Sequence, residues 1–204
     1  MSEIVLIAGT CFEEAKKTAD RFRTLGASVY ELPTADDVTA REAVLKEIEK
    51  EGKLDYLIIQ AEYRSEKTPV FGNLDYAEMS QLYSKSVCDT FDLIEASLPL
   101  LSKGQKRLGL ITDASTSIRN VTETEDFGYA MASAGLHMVW KIYFNKLHPE
   151  GYTFRCFCPN PDGSGISTAE YMRMDFCFDE REQPLHSEEN RLVMRDGWFR
   201  EITW

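Results

Sequence analysis

An α/β fold, a doubly wound parallel sheet with helices on both faces, is predicted by three observations. Short apolar runs recur at 4–8, 28–32, 56–59, 108–112 and 152–158. Longer segments with apolar residues every three or four positions separate them. Strands that follow one another across such helices run parallel, because a parallel connection needs a crossover and a helix supplies it.

Each element follows in order. Val5-Leu6-Ile7-Ala8 ends at Gly9, and 12–25 then carries Ala15, Ala19, Phe22 and Leu25 on one stripe. After the strand at 28–32, Thr39 opens a helix over 40–51, with Val44, Leu45 and Ile48 aligned. Beyond the strand at 56–59, the spacing predicts one long amphipathic helix over 76–101, with Met79, Leu82, Val87, Phe91, Ile94 and Leu98 inward. A second long helix, 129–147, follows the strand at 108–112 and stops before His148-Pro149. The strand at 152–158 runs into a loop past Pro159, then a short helix expected over 168–176 and a charged, irregular segment at 178–189. The closing "RLVMRDGWFREITW" has strand composition on both sides of Asp196-Gly197, the signal of a hairpin with a two-residue turn. With no repeat or linker, 1–204 reads as one domain: a core of 1–168 and a shortened C-terminal region, 169–204.

Composition narrows the function. A chain of 204 residues, 43% hydrophobic and 28% charged, is enough for one buried core. A net charge of −11 and a pI near 4.8 argue against nucleic acid and anionic membrane surfaces, since nothing would neutralise phosphates. No apolar run approaches the roughly 20 residues of a membrane span. Met1-Ser2-Glu3 lacks the basic start of a signal peptide. Five scattered cysteines without a CxxC pair are expected to be reduced, with Cys156 and Cys158 on one strand face, so the expected compartment is the cytoplasm. His137, His148 and His186 are too dispersed for a metal site: His137 reads as a packed or interfacial residue and His148 as a cation at a helix end. Trp198 and Trp204 are expected to cover core or a partner.

Six segments, in this order, resemble the short-chain dehydrogenases/reductases over about residues 3–168. They are Ala8–Ala15 (the family's TGxxxGxG turn), "ADDVTA" at 35–40, "LDYLIIQAE" at 54–62, "LPLLSKGQKRLGLITDAS" at 98–115, "YAMASAGLHMVWK" at 129–141 and "YTFRCFCPNP" at 152–161. The resemblance implies a Rossmann-like sheet, oxidoreductase chemistry and an NAD or NADP cofactor. It places the cofactor contacts on Gly9, on Asp37 after the family's third strand, and on Ala61. The family's catalytic serine falls on Ser115 and its tyrosine on Tyr129. Its lysine falls on Ser133 and its asparagine on Ser86. It also implies a homodimer through helices 76–101 and 129–147, using Val87, Phe91, Ile94, Leu98, Met138 and Trp140, or a heterodimer with an active homologue.

The departures carry physical weight. A tyrosine with pKa near 10 serves as acid or base at neutral pH only beside a cation, which Ser133 does not supply. Glu13 and Ala15 stand where the second and third glycines would let a pyrophosphate approach. A carboxylate about 5 Å from a phosphate costs roughly 3 kcal/mol at an effective dielectric near 20, about a hundredfold in affinity. First-turn glutamates stabilise their own helix instead, with Lys16 and Lys17 placed to pair with Glu13. Two readings follow: an oxidoreductase with an impaired or absent NAD(P) site that binds a small molecule through Ser115 and Tyr129, or a non-catalytic scaffold. Glu62 and Asp113 would face the cleft mouth, where they either hold a cation or amine or stand as ordinary strand-end polar groups.

Overall fold

The computed structural model describes residues 2–64, 74–122, 126–174 and 192–204. Cys177, His186, the segment 178–189 and the last two positions of the expected helix at 168–176 lie outside them. Seven strands form one sheet: β1 Ile4–Ala8, β2 Ser28–Leu32, β3 Tyr56–Ile59, β4 Arg107–Ile111, β5 Thr153–Cys158, β6 Met194–Asp196 and β7 Glu201–Ile202. Their order is β2-β1-β3-β4-β5-β6-β7, parallel throughout except for the β6–β7 hairpin. The register pairs Ala8 with Ile59, Ile59 with Leu110 and Ile111 with Phe157. Gly9, Glu62, Ser115 and Pro159, which follow these strand ends, therefore share one carboxyl edge, where doubly wound sheets bind ligands.

Alternation sends side chains to two layers. Helices α1 (Glu13–Thr24) and α6 (Thr168–Arg173) cover Val5, Ile7, Tyr56, Ile58 and Phe157. Helices α2 (Val38–Glu51), α4 (Asp89–Leu101) and α5 (Phe127–Leu147) cover Leu6, Leu57, Leu110 and both Cys156 and Cys158. Each large apolar side chain buried this way stabilises the fold by about 1.5–3 kcal/mol. At the amino edge the buried Asp55 accepts from Ile4 N–H (2.9 Å) and Gln105 N–H (3.1 Å), fixing the strand starts.

Four expectations are corrected. The segment 76–101 is not one α-helix: α3 (Tyr76–Tyr83) and α4 are joined by a π-turn at Ser84–Cys88. Its wider turn rotates the apolar stripe, so Phe91 faces outward while Val87 and Ile94 stay in the core. Because Val87, Ile94 and Trp140 are buried in the protomer itself, they are not available to a partner surface. The C-terminal hairpin turns over four residues, 197–200, between the end of β6 at Asp196 and the start of β7 at Glu201. The Asp196 carboxylate builds that loop by accepting from Trp198 N–H, Arg200 N–H and Arg200 Nε, and Phe199 takes φ +63°. Finally, the usual dinucleotide-binding order is 3-2-1-4-5-6, whereas here β2 is the sheet edge. Segment 35–40 thus follows β2 rather than a third strand, and α2 crosses straight to β3. This is the 2-1-3-4-5 order, with its switch point between β1 and β3.

Candidate active site

At that switch point the β1–α1 turn is closed on itself. Gly9 and Thr10 N–H both donate to the Leu32 carbonyl, Cys11 N–H to Pro33 and Phe12 N–H back to Gly9. Ala15 N–H, in the first turn of α1, donates to Oε1 of Gln60 at 3.0 Å. Gln60 comes from the end of β3, so a neighbouring side chain caps α1 where an anion would otherwise sit. Gly9 adopts φ +96°, and a Cβ there would lie 2.0 Å from the Gln60 carbonyl oxygen. The glycine is required by this backbone approach. Phe12 and Tyr63 pack ring against ring at 5.1 Å beside the turn. Glu13 pairs with Lys17 at 2.7 Å, which holds its carboxyl below the usual range, and Glu14 accepts from the Thr168 hydroxyl of α6.

Next to the turn opens a cavity of about 790 Å³, whose wall includes Gln60, Glu62, Arg64, Thr112, Asp113, Tyr129, Asn160 and Asp196. Asp126 caps α5 by accepting from Tyr129 N–H (3.2 Å), which brings the Tyr129 ring to the cavity. The Arg64 guanidinium lies over that ring, 3.9 Å from its centroid, and reaches Asp113 (3.5 Å) and Asp126 (3.9 Å). Burial, with Glu62 and Asp113 nearby, pushes the Tyr129 phenol well above its ordinary value, and Arg64 only partly opposes this. Tyr129 is therefore a hydrogen-bond donor across the physiological range.

Glu62 is the unusual group. Its carboxylate is buried in the wall and accepts from the Thr112 hydroxyl at 2.5 Å and, more weakly, from Thr116 at 3.4 Å. Thr112 Oγ1 is also 2.8 Å from Nε2 of His137 on α5, whose ring meets Trp204 edge-on at 5.0 Å. Burial pushes the Glu62 carboxyl up to about 7 and the His137 imidazole down to about 4. One hydroxyl between two such groups admits two proton arrangements. With Glu62 ionised, Thr112 donates to it and His137 donates to Thr112; with Glu62 protonated, both bonds reverse. His137 and Thr116 also line a second cavity of about 330 Å³, with Leu192 and Trp204.

No protein-family model and no curated protein matches the chain in sequence. Solved structures do. A candidate carbonyl reductase, Sniffer, of Caenorhabditis elegans aligns over 100% of both chains with a TM-score of 0.76 at 15% identity. A candidate short-chain alcohol dehydrogenase of Burkholderia multivorans aligns over 99% of this chain and 100% of its own, with a TM-score of 0.71 at 14% identity. A carbonyl reductase of Pseudomonas aeruginosa PAO1 in complex with NADP aligns over 100% of both at TM-score 0.67 and 14% identity. The chain has the short-chain dehydrogenase/reductase fold.

Within that fold the sequence-predicted residues part company. Tyr129 lines the cavity with Glu62, Arg64 and Asp113. Ser115 sits in the short turn after β4, outside the cavity lining, with its hydroxyl buried and without a hydrogen-bond partner. Ser86 and Ser133, where the sequence resemblance puts the family's asparagine and lysine, are fully buried in the helical layer, and their hydroxyls also lack partners among the described residues. Ala61 is a core residue, and Asp37 caps α2 by accepting from Ala40 N–H at 2.9 Å. Sequence reasoning missed Arg64 and Thr112 and read His137 as packing alone. The signal for His137 was present: Tyr129, Ser133 and His137 recur every four residues, one stripe of α5 facing the core.

Proposed function

We propose that the chain is a divergent short-chain dehydrogenase/reductase, of oxidoreductase descent, whose carboxyl-edge cleft serves a small molecule without tightly held NAD or NADP. The observation that carries this reading is the β1–α1 turn. The N–H groups of Gly9, Thr10, Cys11 and Phe12 already bond to Leu32, Pro33 and Gly9 carbonyls and that of Ala15 to Gln60, so most of the cradle a pyrophosphate needs is taken up internally. The carboxylates of Glu13 and Glu14 add repulsion at the same helix start, and the lysine position holds a buried serine. The residues present do not fit a dinucleotide, and hydride transfer is not assigned to them.

Calorimetry and thermal shift with NADH and NADPH test this. Expected dissociation constants are weaker than about 100 μM; a ligand at a hundred times its Kd would raise stability by about 2.7 kcal/mol. Binding tighter than about 10 μM, some 1.4 kcal/mol better than that bound, overturns the reading.

A second reading, a scaffold that associates, is favoured by the exposed stripe Met131, Met138 and Ile142 on α5, beside Tyr83 on α3 and Phe91 on α4. Helices 76–101 and 129–147 would then form a homodimer, or a heterodimer with an active homologue, burying more than about 1,500 Å² in total.

A further inference from the structure

Glu62 enters neither the fold's usual chemistry nor the core. Among the described residues it is paired with no lysine or arginine, yet it sits in the wall of the larger cavity, held by the hydroxyls of Thr112 and Thr116. The same cavity is lined by Tyr129, a phenol that stays protonated, and by Arg64 stacked on its ring. A carboxylate base and an O–H donor, here with a guanidinium shared with Asp113 and Asp126 beside them, are the parts needed to remove a proton from carbon beside a carbonyl. We propose that this cleft catalyses cofactor-independent enolisation of small, neutral α-hydroxy ketones, with Glu62 as base, Tyr129 as donor to the developing oxyanion, and Thr112 with His137 as positioning residues for Glu62. The proposal rests on reading the cleft as a small-molecule site.

The electron count closes without an oxidant. The Glu62 carboxylate takes the hydrogen as a proton from the carbon bearing the hydroxyl. The C–H pair becomes the C=C bond, and the carbonyl π pair moves onto oxygen, which accepts the Tyr129 hydrogen bond within the field of Arg64. Glu62, now a carboxylic acid, exchanges with solvent through the cavity and returns a solvent proton to the same carbon. The reversal of the Thr112 bonds to Glu62 and His137, with the neutral imidazole carrying its proton on Nε2 in one arrangement and on Nδ1 in the other, lets the network hold either protonation state of Glu62. A neutral substrate is specified by charge. Glu62, Asp113 and Asp196 line the cavity, and its arginines already contact carboxylates, Arg64 at Asp113 and Arg200 at Asp196 (2.6 Å).

The groups facing Glu62 are Asp113 after β4, Tyr129 and His137 on α5, and Cys156 and Cys158 on β5. The tyrosine and both thiols are pushed up and the histidine down, so Glu62 is the group that changes charge near neutrality.

The test is proton NMR of hydroxyacetone in D₂O, following loss of the methylene signal. The wild type is expected to exchange it at least about 100-fold faster than buffer, with a rate that rises with pH through neutrality. Glu62→Gln is expected at the buffer rate, and Tyr129→Phe about 10- to 100-fold below wild type. Thr112→Val should displace the pH midpoint while Thr112→Ser restores it, which a merely structural threonine would not do. Exchange no faster than buffer by folded wild type, or Glu62→Gln exchanging at the wild-type rate, overturns the proposal; if Glu62→Gln fails to fold, the Thr112 pair decides through the pH midpoint. Added NADPH should leave the rate unchanged. Tight NADPH binding with Glu62-dependent exchange would defeat the cofactor reading and spare this one.

Discussion

The buried pair Glu62 and His137 makes a quantitative prediction about stability and pH. Glu62 has a folded pKa raised from 4.5 to about 7. Between those values the folded state binds more protons than the unfolded, so stability present below pH 4.5 is lost as pH rises through 7. His137 is lowered from 6.5 to about 4. There the unfolded state binds more protons, so stability present above pH 6.5 is lost as pH falls through 4. Each slope approaches about 1.4 kcal/mol per pH unit and totals about 3 kcal/mol. The slopes are opposite and overlap between pH 4.5 and 6.5, so in the wild type they cancel. Removing one partner should expose the other. Glu62→Gln is expected to gain stability over wild type progressively from pH 5 to pH 8. His137→Gln is expected to gain over wild type as pH falls from 6.5 to 4.5. The assay is urea unfolding at half-unit pH intervals, read as the difference between variant and wild type, in which other titrating groups drop out. A constant offset from packing is immaterial. If both difference curves are flat to within about 0.5 kcal/mol, the two groups are not perturbed as described and the reasoning fails.

Two further outcomes follow from the geometry. Gly9→Ala would drive a Cβ to 2.0 Å from the Gln60 carbonyl at φ +96°, and should cost more than about 3 kcal/mol in the same unfolding assay; a loss under about 1 kcal/mol refutes the close approach. Light scattering at about 10 μM should show a dimer that the double substitution Met138→Lys, Ile142→Lys converts to monomer, and a monomeric wild type defeats the homodimer.

The sheet was legible because strands buried on both faces leave near-continuous apolar runs, as at Ile4–Ala8 and Tyr56–Ile59, and the helices between them keep a period. The π-turn at Ser84–Cys88 was not, since apolar spacing carries no mark for one inserted residue in a helix. Nor was the missing outer strand: "ADDVTA" looks the same whether it follows a second strand or a third. At the site, Glu13, Ala15 and Ser133 could be singled out by residue type alone. His137 shares a stripe of α5 with Tyr129, but Arg64 and Glu62 could not be joined to that stripe from sequence, because their meeting depends on how the end of β3 folds over α5.

The strand order also decides how the sheet borders solvent. With no strand outside it among the described residues, β2 offers an open row of N–H and C=O groups, and its sequence, Ser-Val-Tyr-Glu-Leu, is otherwise well suited to pairing with another copy. The opposite border is only the two residues of β7. What protects the β2 border is short length and charge: Glu31 bonds to Arg23 of α1, and the Tyr30 hydroxyl donates to Glu51 of α2 at 3.0 Å. Glu31 thus works as a gatekeeper against strand-to-strand polymerisation.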